Sequence, residues 1–485
     1  MPPRRSKEQR KRARRIRKLI LALVALILTA ALVVGGVSLV SKLVDKLGGD
    51  KPPVEEPTTD LIKEPQVVAT ATVGSSGDIL IHRPVLRSAK VSEGVYEFDS
   101  MFKHMTPYVK AMDYAAINLE FGIGRGESDY YQPEMLFRVP ASLIDTVMNT
   151  GYSLGLCANN HVSNGSSLAL TAKTYAERNL DFIGLRSLTT QKRYLVKDVN
   201  GIKIGFVNYT YGAKTSNTSL VNYFSANELD AFYADMQQQM TDMKAEGAEA
   251  TVLYIHWGNE YETKAGTTQT KMAQKLCEMG VDVIVGGHPH KIQPLELIKA
   301  ENGNQTVCLY SMGNFLSNQT IEAMYGGTSA TTGGNDWQLG GKCQYRDVKS
   351  RYNDPNYGNH HYDCNDNGHT EDGLLFEFSF NKYDDGTVLM EGVNVLPTWC
   401  YVTKREDGQN DYSVIPLDKS VADWKSAFGI DEKDLIFAER SYDRTMALVG
   451  DGITTINGTC GLKIADYVDA YKAAQQPTTE QGAEQ

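Results

Sequence analysis

The chain has 485 residues and carries a formal net charge of −10. Ten lysines and arginines but only one acid lie in residues 1–18, so this segment carries +9 and the rest of the chain carries −19. Nucleic-acid-binding domains present basic patches, and the acidic remainder therefore argues against nucleic acid as a partner.

An uncharged apolar run follows the basic segment. It extends from Leu19 to Val40, 22 residues, and at about 1.5 Å per residue such a helix spans a ~30 Å hydrocarbon core. Because basic flanks stay in the cytoplasm, the sequence predicts a cytoplasmic segment over 1–18 and a transmembrane signal anchor over 19–41. The main domain would then be extracellular, at the cell membrane. A cleaved signal peptide is the competing interpretation, but its apolar region is usually about 7–15 residues long.

Two polar segments flank the predicted domain. Residues 42–66 are rich in proline and charge, which indicates a stalk. Residues 473–485 lack apolar periodicity and are predicted to be disordered. Between them, 67–472 is predicted to form one domain. A loop-rich insert is predicted at 319–370, and a lid over a site and a neutral insert are equally good interpretations of it.

The seven cysteines show no CxxC or zinc-ribbon spacing, so they do not form a disulfide framework. Cys157 and Cys308 lie in apolar, strand-like runs and are predicted to be buried thiols. Cys343 and Cys364 flank the polar insert and are candidates to pair if the compartment is oxidising.

Inside 67–472, short apolar runs rich in β-branched residues alternate with amphipathic stretches, which is the pattern of an α/β layered fold. Helices are predicted between the strands, one from Thr267 or Thr268 to Met279 and one from Ser166 or Ser167 to about Asn179. The predicted strands are 67–74, 114–119, 152–157, 181–185, 203–209, 250–256, 281–286, 305–311, 374–380 and 388–396.

Histidines, acids and amides gather at the carboxyl ends of the predicted strands, where open α/β sheets form their ligand crevice. A single histidine is more often structural than a ligand, but repeated placement at strand ends indicates a site. Tyr310-Ser311-Met312-Gly313-Asn314-Phe315 also follows a strand. The other segments are Gly77-Asp78-Ile79-Leu80-Ile81-His82, Asn118-Leu119-Glu120, Ala158-Asn159-Asn160-His161, His256-Trp257-Gly258-Asn259-Glu260 and Gly286-Gly287-His288-Pro289-His290.

These side chains supply the nitrogen and oxygen donors that Mn²⁺, Zn²⁺ or Fe ions prefer. A carboxylate can bridge two ions, and two ions about 3.5–4 Å apart clamp a phosphoryl group and acidify a bound water. The sequence therefore predicts a site for two divalent metal ions.

Some candidates are weaker than the rest. An extended chain would place His82 about 13 Å from Asp78, so the chain must turn between them if both are to bind one ion. Arg138 is a candidate contact for an anionic substrate, although a surface or structural role is the favoured alternative. Asn159, Glu260 and Asn314 are further possible contributors.

The segments occur in the order found in a known family. The same order continues through Glu371-Asp372-Gly373 and Pro397-Thr398-Trp399. Over about residues 67–420 the chain resembles the CapA/PgsA family of bacterial capsule and poly-γ-glutamate synthesis proteins. The resemblance implies a four-layer α/β sandwich similar to the calcineurin-like metallophosphoesterases.

The resemblance also implies roles for single residues. His161 would be the general acid that protonates the leaving oxygen. Glu120, the implied bridge, stands where the phosphoesterases have Asp. Asn164 stands where the capsule family usually has an Asp, which would orient the His161 ring. The implied metal ligands are Asp78, Glu120, Asn160, His256, His288 and His290.

Two functions are compatible with this resemblance. The first is a dinuclear-metal-dependent hydrolase that acts in the synthesis, release or export of poly-γ-glutamate or a similar anionic surface polymer, on a phosphoester or an amide. The second is a non-catalytic assembly or export factor that keeps the metal-site scaffold beside a membrane polymer synthase. Both imply the components of that synthase as partners.

Overall fold

The computed structural model describes residues 65–130, 137–162, 165–213, 217–319, 370–449, 454–456 and 459–463. All of these belong to the unit Glu64–Gln485. The predicted basic segment, the tail at 473–485, Cys343, Cys364 and Asn164 lie outside the described residues, as do nearly all of the predicted stalk and insert.

The predicted localisation is corrected. In the part of the chain that the structure describes, no helix is both long and apolar enough to cross a membrane. The segment predicted as a transmembrane anchor, 19–41, lies outside the described residues. We therefore withdraw the assignment to the cell membrane.

Twenty strands occur within the described residues. In chain order they are β1 (Val67–Ile79), β2 (Lys90–Ser92), β3 (Val95–Tyr96), β4 (Tyr114–Leu119), β5 (Gly122–Ile123), β6 (Arg138–Val139), β7 (Leu154–Leu156), β8 (Asp181–Ile183), β9 (Tyr194–Val199), β10 (Ile202–Thr210), β11 (Ala250–His256), β12 (Val283–Gly287), β13 (Ile292–Lys299), β14 (Gln305–Met312), β15 (Asn314–Leu316), β16 (Asp372–Tyr383), β17 (Val388–Lys404), β18 (Asn410–Pro416), β19 (Thr454–Ile456) and β20 (Thr459–Lys463).

The described α-helices number nine. They are α1 (Arg83–Ala89), α2 (Asp99–Phe102), α3 (Thr106–Val109), α4 (Ser142–Thr150), α5 (Gly165–Glu177), α6 (Leu229–Ala245), α7 (Thr267–Met279), α8 (Trp424–Phe428) and α9 (Leu435–Val449). Gly280, with φ of +92°, ends α7 in the left-handed conformation that glycine favours.

Most strands belong to two large sheets. The first, with ten described strands, has the order β19-β20-β17-β16-β1-β4-β7-β8, with β15 beside β1 and β18 beside β17. The second, with six, has the order β13-β14-β12-β11-β10-β9. Parallel pairing joins β1, β4, β7 and β8 in the first sheet and β10, β11, β12 and β14 in the second. Each sheet therefore presents several strand carboxyl ends at one edge.

The side chains of the central strands alternate between two cores. In β4, Tyr114 and Ala116 pack with Val252 and Tyr254 of β11, between the two sheets. Ala115 and the other alternate residues of β4 pack with α1 to α5, whereas those of β11 pack with α6 and α7. The predicted α/β class is confirmed, with layers in the order helices, first sheet, second sheet, helices.

The predicted buried thiols are also confirmed. Cys157 and Cys308 are buried free cysteines, as are Cys277 and Cys400.

Candidate metal centre

The predicted ligands come from both sheets. Asp78 lies at the end of β1 and Glu120 directly follows β4, both in the first sheet. His256 ends β11 and His288 directly follows β12 in the second. All four side chains are at least 96% buried. The carboxyl ends of the parallel strands thus bring acids from one sheet and imidazoles from the other into one crevice.

The carboxylate of Glu120 lies at the middle of this crevice. Its buried Oε1 accepts no hydrogen bond within the described part of the chain. Three imidazole nitrogens surround it, His256 Nε2 at 3.5 Å, His161 Nε2 at 3.8 Å and His290 Nε2 at 4.0 Å. These distances exceed a hydrogen bond. Two ligands of one tetrahedral ion, each about 2.1 Å from it, lie about 3.4 Å apart, so the spacing of Glu120 Oε1 and His256 Nε2 fits two ligands of one cation.

Among the described residues, three groups of donors lie close enough to hold an ion. Within each group the ligand atoms lie within 4.8 Å of one another. Glu120 belongs to the first two, as expected of a bridge between two ions. Glu260 is exposed, so the third group is open to solvent. The groups are Asp78, Glu120 and His290; Glu120, His256 and His288; and Glu260, His288 and His290.

Asp78 and His290 are joined by a buried ion pair. His290 Nδ1 lies 3.0 Å from Asp78 Oδ2, and Asn118 Nδ2 donates to Asp78 Oδ1 at 2.7 Å. Burial acts to raise the pKa of Asp78, but the hydrogen bond and charge of His290 outweigh it and leave the pKa below its usual value. Burial acts to lower the pKa of His290, yet Glu120 and Asp78 together raise it to about 9.

The pKa of Glu120 is shifted upward, whereas that of Asp78 is shifted downward. Burial, followed by the charge of Asp78, raises the pKa of Glu120 despite the nearby His256 and His290. In the metal-free chain His290, with its pKa of about 9, therefore keeps its proton at neutral pH. A divalent cation would displace that proton, because metal ligands bind in their deprotonated forms.

The amides after β7 reach the same crevice. His256 Nε2 lies 3.0 Å from Asn160 Oδ1, a spacing that suits two ligands of one ion. Asn159 Nδ2 donates to the Leu119 carbonyl at 2.9 Å, so this residue ties the loop to the end of β4. His161 is 3% exposed, and its ring centre lies 4.8 Å from that of Phe137.

His82 is separate from the donor groups of the described residues. Its Nδ1 lies 3.2 Å from both the Leu80 carbonyl oxygen and the backbone nitrogen of Asn318. Burial lowers its pKa to about 3, so the ring is neutral. The geometry therefore favours a structural role for His82.

The hydrogen-bond partners of Asn314 and the ion-pair partner of Arg138 indicate the role of each residue. Asn314 Nδ2 donates to Ser317 Oγ, Gln319 Oε1 and the Thr370 carbonyl. Its Oδ1 is thereby turned toward His290 Nδ1, 3.1 Å away, so Asn314 orients a candidate ligand. Arg138 Nη1 pairs with Asp129 Oδ1 at 2.5 Å, which is the structural role favoured from the sequence.

Two residues near the site were missed as participants. Asn118, quoted only as part of a motif, lies between the acids, since its Nδ2 donates to Asp78 Oδ1 and also lies 3.2 Å from Glu120 Oε2. The hydroxyl of Tyr211 lies 2.8 Å from His288 Nε2. Tyr211 directly follows β10, so its position at the carboxyl end of a strand could have identified it. It was missed because tyrosine is not among the histidines, acids and amides that indicate a metal site.

The turn that carries the two histidines depends on a close backbone approach. A Cβ added at Gly286 would lie 1.9 Å from the Tyr310 carbonyl oxygen. His288 and His290 have φ of +95° and +56°, values that side-chain-bearing residues rarely adopt. Strained backbone of this kind is concentrated at functional sites.

A cleft of about 250 Å³ adjoins the centre through Tyr211. Its described lining is uncharged, and it includes Phe224, Asn259, Thr268 and Met272. The hydroxyl of Tyr211 places this cleft one hydrogen bond away from His288.

Comparison with known proteins identifies relatives. The CapA capsule biosynthesis protein of Bacillus anthracis is 27% identical over 257 residues, 51% of this chain and 60% of that protein. The PGA biosynthesis protein CapA of Bacillus subtilis is 28% identical over 249 residues, 50% of this chain and 62% of that protein. The chain therefore spans about three fifths of the length of these relatives.

Two solved structures show a weaker likeness. A 5'-nucleotidase from Candida albicans has 9% identity and a TM-score of 0.32, covering 80% of this chain and 61% of that one. A purple acid phosphatase from yellow lupin, Lupinus luteus, has 11% identity and a TM-score of 0.29, covering 72% of this chain and 54% of that one. TM-scores this low do not establish a shared fold.

The family itself is established by the sequence match. The family described as "Bacterial capsule synthesis protein PGA_cap" matches residues 72–319 of this chain. This range is just over half of the chain and includes every predicted metal ligand. The predicted kinship with the CapA/PgsA proteins is confirmed, and the chain belongs to the bacterial capsule synthesis family PGA_cap.

Proposed function

We propose that this protein is a dinuclear-metal-dependent hydrolase that acts in the synthesis, release or export of a capsular polymer, poly-γ-glutamate or a similar anionic polymer. Membership of the capsule synthesis family supports the polymer role. The observation that carries the hydrolase role is the buried Glu120 Oε1, with three imidazole nitrogens within 4.0 Å of it.

Two divalent ions, Mn, Zn or Fe, would be held by the predicted donors. When bound, the ions would lower the pKa of a water molecule and withdraw charge from a phosphoryl oxygen. Glu120 would bridge them, because it belongs to two of the three donor groups. Its side chain is longer than the Asp of calcineurin-like phosphoesterases, and the extra methylene carries Oε1 between the rings of His161, His256 and His290. The six ligands proposed are Asp78, Glu120, Asn160, His256, His288 and His290.

His161 would supply the proton to the leaving oxygen. Its Nε2 lies within 3.8 Å of Glu120 Oε1, so it faces the metal position. Phe137, which is fully buried, packs against the ring and excludes water from that side. A positioned general acid of this kind contributes roughly 10²- to 10⁴-fold to the rate.

The neighbouring cleft offers room for one flanking group of the substrate. Because its described lining is uncharged, it suits a neutral group better than a carboxylate of the polymer. A phosphoester with a neutral leaving group is therefore the proposed substrate class, with an amide as the second choice. Components of the polymer synthase are the proposed protein partners.

Turnover of simple phosphoesters by the Mn²⁺-loaded full chain tests the proposal. His161→Gln should lower kcat at least 100-fold with unchanged metal content, whereas Asp78→Ala should lose metal as well. His104→Gln is a matched control, because His104 packs against Phe428. Wild-type turnover no faster than that of Asp78→Ala would refute the hydrolase role.

A cellular test separates catalysis from assembly. Cells lacking the gene are complemented with the wild-type chain or with His161→Gln, and capsular polymer is measured. The hydrolase proposal expects little polymer from the variant. Normal polymer from His161→Gln would favour a non-catalytic assembly or export factor that retains the same scaffold.

A further inference from the structure

The hydroxyl of Tyr211 lies within hydrogen-bond distance of one ring nitrogen of His288. We propose that Tyr211 is a positioning residue that keeps the proton of His288 on Nε2, so that Nδ1 presents its lone pair to a divalent ion. This inference rests on the proposed metal centre, but it concerns a residue outside the donor set.

Tyr211 is fixed to the crevice by its backbone. It follows β10, and its N–H donates to the carbonyl of His256 at 3.2 Å. Its ring meets the His288 ring edge to face, with 5.2 Å between the ring centres. The phenol therefore approaches His288 from one constrained direction.

The proton of Tyr211 can be assigned from its two contacts. The hydroxyl oxygen lies 2.6 Å from the Gly258 carbonyl oxygen and 2.8 Å from His288 Nε2. A carbonyl only accepts hydrogen bonds, so the single hydroxyl proton must point at Gly258. The contact with His288 can then be a hydrogen bond only if Nε2–H donates to the tyrosine oxygen.

The assignment leaves Nδ1 of neutral His288 as the nitrogen with the lone pair. This atom is buried. The backbone N–H of His288 lies 3.4 Å from Asp78 Oδ2, which holds this part of the residue beside the acids of the centre. A partner on one ring nitrogen is the usual way in which a metal-binding histidine is held in its tautomer.

Gly258 holds its carbonyl in place through an unusual conformation. Its φ is +85°, and a Cβ there would lie 2.7 Å from the side chain of Gln269. Gln269 in turn is held by hydrogen bonds to Gly266 N and Gln293 Oε1. The acceptor that orients the Tyr211 proton is thus part of a rigid turn.

Removing one oxygen atom tests the inference. Tyr211→Phe takes away the acceptor for Nε2–H while keeping the ring. The matched control is Tyr209→Phe at the end of β10, whose hydroxyl donates to Asp235 Oδ2 at 2.6 Å instead. Each variant removes a partly buried hydroxyl that is hydrogen-bonded, so both unfolding midpoints should fall, and only Tyr211→Phe should affect His288.

Two measurements on the full chain decide the question. Two-bond ¹H–¹⁵N spectra of the metal-free chain with labelled imidazoles, recorded at alkaline pH and assigned with His288→Asn, should show the Nε2–H tautomer in wild type and Tyr209→Phe. In Tyr211→Phe the signal should shift toward a mixture. Calorimetric titration with Mn²⁺ should show one ion binding roughly 10- to 100-fold more weakly in Tyr211→Phe, with Tyr209→Phe unchanged.

The outcomes separate this inference from the proposed function. An unchanged His288 tautomer in Tyr211→Phe overturns the positioning role, whatever the metal affinity. If the wild-type chain binds Mn²⁺ but hydrolyses nothing, the hydrolase proposal fails and the affinity comparison still decides the role of Tyr211. If it binds no Mn²⁺, the metal centre fails together with this inference.

Discussion

The metal-free chain should lose stability as the pH rises from neutral to alkaline, because of His290. Burial acts to lower its pKa, but Glu120 and Asp78 raise it in the folded protein from the usual 6.5 to about 9. A raised folded-state pKa means that the folded chain binds the proton more tightly than the unfolded chain. The stabilisation is therefore complete below about pH 6.5 and disappears as the pH passes through about 9.

The size of the effect follows from the shift. Each pKa unit corresponds to about 1.4 kcal/mol, so the change from 6.5 to about 9 corresponds to about 3 kcal/mol of unfolding free energy. The ring is 1% exposed, so solvent screening reduces this figure little. Metal affinity should rise over the same pH range, because an ion binds the neutral imidazole.

Urea unfolding of the chelator-treated full chain at pH 6.5 and pH 9.5 measures the loss. His290→Asn is the control, since asparagine tolerates the φ of +56° at this position and its amide can donate to Asp78 as Nδ1 does. The wild-type chain should lose about 3 kcal/mol more than the variant between the two pH values. Equal losses in both chains would refute the assignment of the raised pKa to His290.

Three further predictions concern stability. Arg444→Met removes the guanidinium that binds both oxygens of the fully buried Asp372. The free energy of unfolding in urea should fall by about 3 kcal/mol, and a fall of less than about 1 kcal/mol would contradict a stabilising role for this ion pair. Gly286→Ala should leave little folded protein by circular dichroism, because its Cβ would meet the Tyr310 carbonyl at 1.9 Å; a wild-type melting curve would contradict this. Mn²⁺ at 100 times its dissociation constant should add about 2.7 kcal/mol to wild type and less to Asp78→Ala; equal gains would place the ion elsewhere.

The central strands were predictable because both faces of each are covered. All six residues of β4 are buried, and β4 and β11 have the bounds predicted from their continuous apolar runs. Among the missed strands, β9 and β13 form the two edges of the second sheet. Their residues include Lys197, Asp198 and Glu296, so charged side chains interrupt the apolar pattern of each strand. Each is held by antiparallel pairing to the strand that follows it in the chain, β10 or β14.

The candidate site was also predictable only in part. Donor types at strand ends were enough to select the segments that contain Asp78, Glu120 and His288, which the fold brings into one crevice. The choice of these residues within the segments came from the family resemblance. The orientation of each side chain depends on contacts between distant segments, such as that of Tyr211 with His288, 77 residues apart. Arg138 illustrates the same limit, because only the folded chain shows that Asp129 binds its guanidinium.

The metal content of the purified full chain tests the central claim most directly. Mass spectrometry of metals should find two Mn, Zn or Fe ions per wild-type chain. An Asp78→Ala/His288→Ala double variant, which removes one ligand from each of the groups that share Glu120, should retain fewer, while His104→Gln should retain both. A wild-type chain that carries no metal after growth and dialysis in metal-supplemented buffer would contradict the account, as would a double variant with the full content.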